Sequence, residues 1–181
     1  MPSSTVRTFA DPDDYAASFL GTNVKMTITG SGRFEAKVIR IDLGRLQLGR
    51  ISDNLPRISH STDFTGVTTI SFSTQPGPSL IRGGLEMLPS NLIRCGNGQN
   101  FFRRSSGRAG IGLMSLPVEE MATVEAIAGC DLTPPKDALS VTPPPAAMAK
   151  LQRLHLTAGD LARRPRPSLP MPQRRAVSSR R

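Results

Sequence analysis

From residue 24 to about residue 104 the chain consists of short runs of alternating apolar and polar residues, broken by Gly, Pro, Asn and Ser at intervals of about ten. Successive side chains of a strand point to opposite faces, so a period of two describes antiparallel strands with one dry and one wet face. Phe34, Ala36 and Val38 share one face while Arg33, Glu35 and Lys37 share the other. Leu46 and Leu48 alternate in the same way with Arg45 and Gln47, and Ile70 and Phe72 with Thr69 and Ser71. This phase assigns Phe34, Val38, Leu46, Leu48, Ile70 and Phe72 to an apolar interior, and makes them the candidate lining of a pocket for a small organic effector. The phase slips at Val38-Ile39, where a bulge or bend is expected. Further strand-like pieces at 79–82, 91–95, 101–104 and 111–116 are separated by Gly83-Gly84 and by Gly96-Asn97-Gly98. Such spacing favours a sandwich or a barrel.

Helical signals flank this body. Asp11 before Pro12 suits an N-cap followed by a first helical position, and predicts a short helix over 11–20 that gathers Tyr15, Phe19 and Leu20 on one side and stops at Gly21. Pro117 opens a second helix, in which Val118, Met121, Val124, Glu125 and Ala128 fall near one side and Gly129 is the stop. After a loop over 130–141, Thr142 is expected to cap a third helix that tolerates Pro143 to Pro145 in its first turn and runs to about Arg164. Ala147, Leu151, Leu154, Ala158 and Leu161 repeat there with the 4, 3, 4, 3 spacing of an a/d seam, which either pairs with a second copy or packs on the chain's own strands. A chain of 181 residues, 38% hydrophobic, fits one domain with appended helices. With seven Phe, one Tyr and no Trp, its core must rest on aliphatic residues, and stacking platforms for single-stranded nucleic acid are thinly supplied.

Charge is concentrated at one end. Residues 163–181 carry seven arginines and no acid, so the 23 Lys and Arg of the chain leave sixteen against fourteen Asp and Glu in residues 1–162. The pI of 10.9 therefore belongs to a Pro-rich basic tail, and the nearly neutral body exerts no strong pull on phosphate. Sequence-specific nucleic-acid binding by this chain alone is not expected, and a membrane partner is not indicated, since no run approaches the roughly eighteen apolar residues of a span. Met1 to Phe9 lacks the basic and apolar regions of a signal peptide, so the expected location is the cytoplasm. Cys95 and Cys130 lack CxxC spacing and read as buried free thiols. His60 and His155 lie in different elements without acid or Cys partners at ligand spacing. Glu119 and Glu120 point about 100° apart on a helix and form no carboxylate pair. Gly107, Gly110 and Gly112 reverse the dinucleotide fingerprint and read as turn glycines. No catalytic, metal-binding or DNA-reading residue and no cofactor is assigned.

Several phrases in order carry a resemblance: FADPDDYAASF (9–19), GRFEAKVIRIDLGRLQLGRI (32–51), RSSGRAGIGLMSLPVEEMA (104–122), GCDLTPP (129–135) and AAMAKLQRLHLTAGDLA (146–162). Together they resemble the N-terminal half of AraC-type transcription regulators. The resemblance implies a mainly β fold with α, a cupin-like jelly-roll barrel followed by a two-helix dimerisation hairpin. On that plan residues 1–21 are an N-terminal helix and arm, 22–116 the sensor barrel, 117–163 the dimerisation segment and 164–181 a disordered basic tail. It further implies a homodimer joined through Ala147, Leu151, Leu154, Ala158 and Leu161, and a regulator cut short before its helix-turn-helix units, because the tail has no helical periodicity. A shifted reading frame near Arg164 and a natural disordered end both account for that. A free-standing small-molecule-binding barrel and a cupin-type enzyme are the alternatives. The histidine ligands of enzymatic cupins are missing, which favours a sensor.

Overall fold

The computed structural model describes residues 3–19, 21–62, 66–77, 79–95, 98–128 and 135–163. Leu20, Cys130 and the basic tail 164–181 lie outside the described residues. The chain runs β1 (Ser3–Phe9), α1 (Pro12–Ala17), β2 (Val24–Ile28), β3 (Ala36–Asp42), β4 (Gln47–Asp53), β5 (Arg57–Thr62) and β6 (Val67–Ser73). It continues through β7 (Leu80–Arg82), β8 (Leu85–Glu86), β9 (Leu92–Cys95), β10 (Asn100–Ser105) and β11 (Ala109–Pro117). A 3-10 turn (Val118–Glu120), α2 (Met121–Ala128), β12 (Leu139–Val141) and α3 (Pro145–Arg163) complete it.

The fold is mainly β, with all pairings antiparallel. The strands form a seven-stranded sheet, ordered β1-β3-β4-β11-β6-β9-β12, and a five-stranded sheet, ordered β2-β5-β10-β7-β8. Among the described residues no ladder joins the two, so the expected closed barrel is replaced by two separate sheets. The short strands at the end of the smaller sheet, three residues in β7 and two in β8, offer little edge for a ladder to the other. Their turn falls at Gly83-Gly84, where the sequence interrupts the strand, with φ of +56° and +80°, the left-handed pair of a type I′ hairpin.

A core between the sheets unites Val38 and Ile51 of the larger sheet and Phe34 just before β3 with Leu80 of the smaller one. Asp11 caps α1 as its sequence predicts, its carboxylate accepting from the amides of Asp13 at 2.8 Å and Asp14 at 3.0 Å. The helix thereby delivers Tyr15 into the core, with its ring centroid 5.6 Å from Phe9 and 5.7 Å from Phe34.

Four features depart from expectation. The bulge at Val38-Ile39 is absent: β3 keeps a continuous register with β4, Val38 opposite Ile51 and Ile39 opposite Arg50. Both residues are buried because the sheet is covered on both sides, Val38 by the core and Ile39 by α3 at Gly159. The N-terminal arm is a full edge strand, β1, whose mostly exposed residues show no apolar alternation. The loop between the last two helices contains β12, which pairs with β9, so α2 and α3 are not joined as a simple hairpin. Finally, α3 begins at Pro145, with the Pro144 carbonyl accepting from the amides of Ala147 and Met148 at 2.9 and 3.1 Å. Proline at the first helical position forfeits no hydrogen bond, so the cap moves past Thr142. The helix lies on the outer face of β1, β3 and β4 and buries Met148, His155 and Gly159.

Candidate functional site

Strand register decides which side chains meet between the sheets. In β10, Phe101 stands opposite Ser61, Arg103 opposite both Ser59 and Arg82, and Ser105 opposite both Arg57 and Leu80. These residues point inward, whereas Ile58 and Phe102 take the opposite phase and are 45% and 65% exposed. On the facing sheet Leu113 stands opposite Ser71, and Ser115 opposite Thr69. The result is a cavity of about 60 Å³. Arg57, Ser59, Ser61, Arg82 and Arg103 of the smaller sheet make its most polar side, Phe19, Met26, Ile51 and Leu113 supply apolar surface, and Thr69 and Ser115 add hydroxyls from the larger sheet. In this state it has room for a few waters.

Three guanidinium groups share this space. Arg57 is almost wholly buried; its Nη2 donates to Asp53 Oδ2 at 2.5 Å and its Nη1 to Ser105 Oγ at 3.3 Å. The Tyr15 hydroxyl donates to the same Asp53 oxygen at 3.3 Å, while Asp53 Oδ1 is buried without a hydrogen-bond partner. Arg82 donates from Nε to Cys95 Sγ at 3.0 Å and lies over the Phe101 ring, 3.9 Å from its centroid. Arg103 sits beside it, farther from the same ring at 5.4 Å, and its Nε is buried with no hydrogen-bond partner. Burial first, then the charges of Arg82 and Arg57, push the Arg103 guanidinium down to about 9, so it remains charged at neutral pH. Burial and the Asp53 charge push the Tyr15 hydroxyl up to about 12. Burial also lifts the Asp53 carboxyl above its ordinary value, against the opposing pull of Arg57.

The residues assigned to a pocket from the sequence lie elsewhere. Phe34 and Val38 are buried in the core cluster but do not line the cavity. Leu48, Ile70 and Phe72 stand on the outer face, where Phe72 meets the His155 ring of α3 edge-on at 5.0 Å. Leu46 belongs to the β3–β4 turn, its carbonyl accepting from the Leu43 amide at 2.9 Å. A sheet covered on both faces has two dry sides, and alternation cannot tell them apart. Inside β6 the polar phase wins: Thr69, Ser71 and Ser73 are buried, Ser71 Oγ donating to the Ile93 carbonyl at 3.2 Å and Ser73 Oγ to that of Gln75 at 2.6 Å. Arg103 was hidden by a tie, since in Phe101-Phe102-Arg103-Arg104 both phases have the same composition.

The proposed dimer seam divides on α3. Leu151 and Ala158 are half-buried at the edge of its packed face, while Ala147, Leu154 and Leu161 point away from the sheet, the two leucines 58% and 59% exposed. Among the described residues no three His, Cys, Asp or Glu side chains gather as metal ligands, and no helix is long and apolar enough to cross a membrane.

The same fold occurs in the crystal structure of the AraC-like transcriptional activator CuxR, with a TM-score of 0.51 and 14% identity over 93% of this chain and 74% of that one. No protein-family model matches the sequence, and no curated protein matches it. At this identity the likeness is one of fold.

Proposed function

We propose that this chain senses a small molecule between its two sheets and pairs with a second copy through α3, as the sensor and dimerisation part of an AraC-type regulator of transcription in the cytoplasm. The observation that carries the reading is the space between the two sheets, which gathers three arginines and two serines beside the apolar surface of Phe19, Met26, Ile51 and Leu113. Its chemistry suits holding a ligand better than converting one. Arg103 stays charged and Tyr15 stays neutral across the neutral range, and Asp53 is engaged by Arg57, so none of the three is poised for proton transfer near pH 7.

The outer face of α3 supports the pairing. Ala147, Leu154 and Leu161 recur every seven residues on the side the sheet leaves open, which is the spacing of a two-helix seam, and the small Ala147 lets backbones approach. In sedimentation the protein is expected to be a dimer at micromolar concentration and Leu154→Asp a monomer. In a thermal-unfolding screen of small acids, amides, amines and sugars, at least one class is expected to raise Tm. A monomeric wild type would refute the pairing, and a screen without any shift would refute the sensor.

A further inference from the structure

We propose that the cavity between the sheets takes an organic anion, a carboxylate held by Arg103 with its hydrocarbon part against Phe19, Met26, Ile51 and Leu113. The inference rests on the sensor reading above and names the ligand class of that site. Its ground is a crowd of like charge: Arg57, Arg82 and Arg103 line one cavity, none of whose described lining residues is a carboxylate, and Asp53 is committed to Arg57. The contacts in hand account for two of the three. Asp53 and Ser105 engage Arg57, and the Phe101 ring and Cys95 thiol engage Arg82.

Arg103 has no such account. It stands directly opposite Arg82 in the ladder, and like charges so placed repel. The ring that Arg82 covers lies farther from Arg103, and the Arg103 Nε–H, a donor that cannot be silenced by deprotonation at neutral pH, is buried without an acceptor. A carboxylate between Arg103 and Arg82 converts that repulsion into two charge-assisted attractions and supplies the missing acceptor. Phe19, Met26, Ile51 and Leu113 offer nothing to an ion but suit a short hydrocarbon chain. The present volume fits a small acid, and a longer one must part the sheets.

The test uses the full chain with hexanoate, hexanamide and hexylammonium as probes, which share a chain and differ in charge, and with inorganic phosphate. Unfolding temperature and calorimetric titration are read for the wild type and for Arg103→Met, which keeps the length of the side chain without its charge. Hexanoate is expected to raise Tm while hexanamide and hexylammonium do not. Arg103→Met should unfold no earlier than the wild type when empty, because a repulsion is removed, and should bind hexanoate at least about tenfold more weakly. A purely structural arginine would give the reverse, a destabilised variant with unchanged response. Hexanamide equal to hexanoate, or Arg103→Met binding hexanoate as well as the wild type, overturns the anion site and leaves the sensor standing. Phosphate equal to hexanoate overturns the organic part. If none of these probes binds while a sugar or another neutral compound from the wider screen does, the anion inference fails alone; if nothing in that screen binds, the sensor reading fails with it.

Discussion

Asp53 shows at a single residue how tightly the interior depends on charge. Both of its polar contacts run through one oxygen, to Arg57 and to Tyr15, and both are buried. Removing one partner of a buried pair leaves the other charged and dry, so Asp53→Ala should lower the free energy of unfolding by about 3–5 kcal/mol, measured by urea titration. A loss under about 1 kcal/mol would show that Arg57 finds water instead. His155 makes a second residue-scale prediction. The Leu113 carbonyl accepts from its Nε2 at 3.1 Å, so that nitrogen carries a proton, and its Nδ1 is buried without a partner. Burial holds its pKa below the ordinary value, outweighing the Leu113 bond that favours the charged form. The folded state then binds fewer protons than the unfolded one below about pH 6.5, so the stability His155 contributes is complete above that pH and is lost as pH falls toward the folded value. His155→Gln should flatten this part of the stability profile below about pH 6.5, and an unchanged slope would contradict the assignment.

At the scale of elements, local chemistry was legible and facing was not. The Asp11-Pro12 start of α1 and the strand break at Gly83-Gly84 could be read directly because each rests on a few adjacent residues and a specific backbone geometry. Even the sites of most strands followed from their texture. What failed was the choice of side: β6 turns Thr69, Ser71 and Ser73 inward and Ile70 and Phe72 outward, because α3 supplies a second dry layer that no local pattern announces. The edge strands β1 and β12 were missed for a related reason, since an edge with few buried residues needs no alternation. Gly112 tests this layering. It stands opposite Phe72 on the covered face, and a Cβ there would lie 2.4 Å from the Phe72 ring, which is fully buried and has nowhere to swing. Gly112→Ala should therefore cost about 1–3 kcal/mol in chemical denaturation. Combining it with Phe72→Leu should cost less than the two single changes added, because they share one contact. Strict additivity would mean that the ring yields freely.

For the whole molecule, the uneven distribution of charge predicts behaviour toward DNA. With a nearly neutral body, the chain alone should show no preference among duplexes in an anisotropy titration, and whatever attraction the seven arginines of residues 163–181 create should fall steeply with added salt. A sequence-selective complex that survives deletion of those residues would overturn that expectation. The seven-stranded sheet has a further consequence through Leu113. Its side chain lines the cavity on one side, and its own carbonyl holds His155 of α3 on the other. Where ligand and helix share the two sides of one peptide unit, no relay of side chains is needed between them. On the proposed reading, a ligand that shifts β11 from within would move the anchor of α3 with it, and a second copy that clamps α3 would stiffen the wall against which that ligand settles.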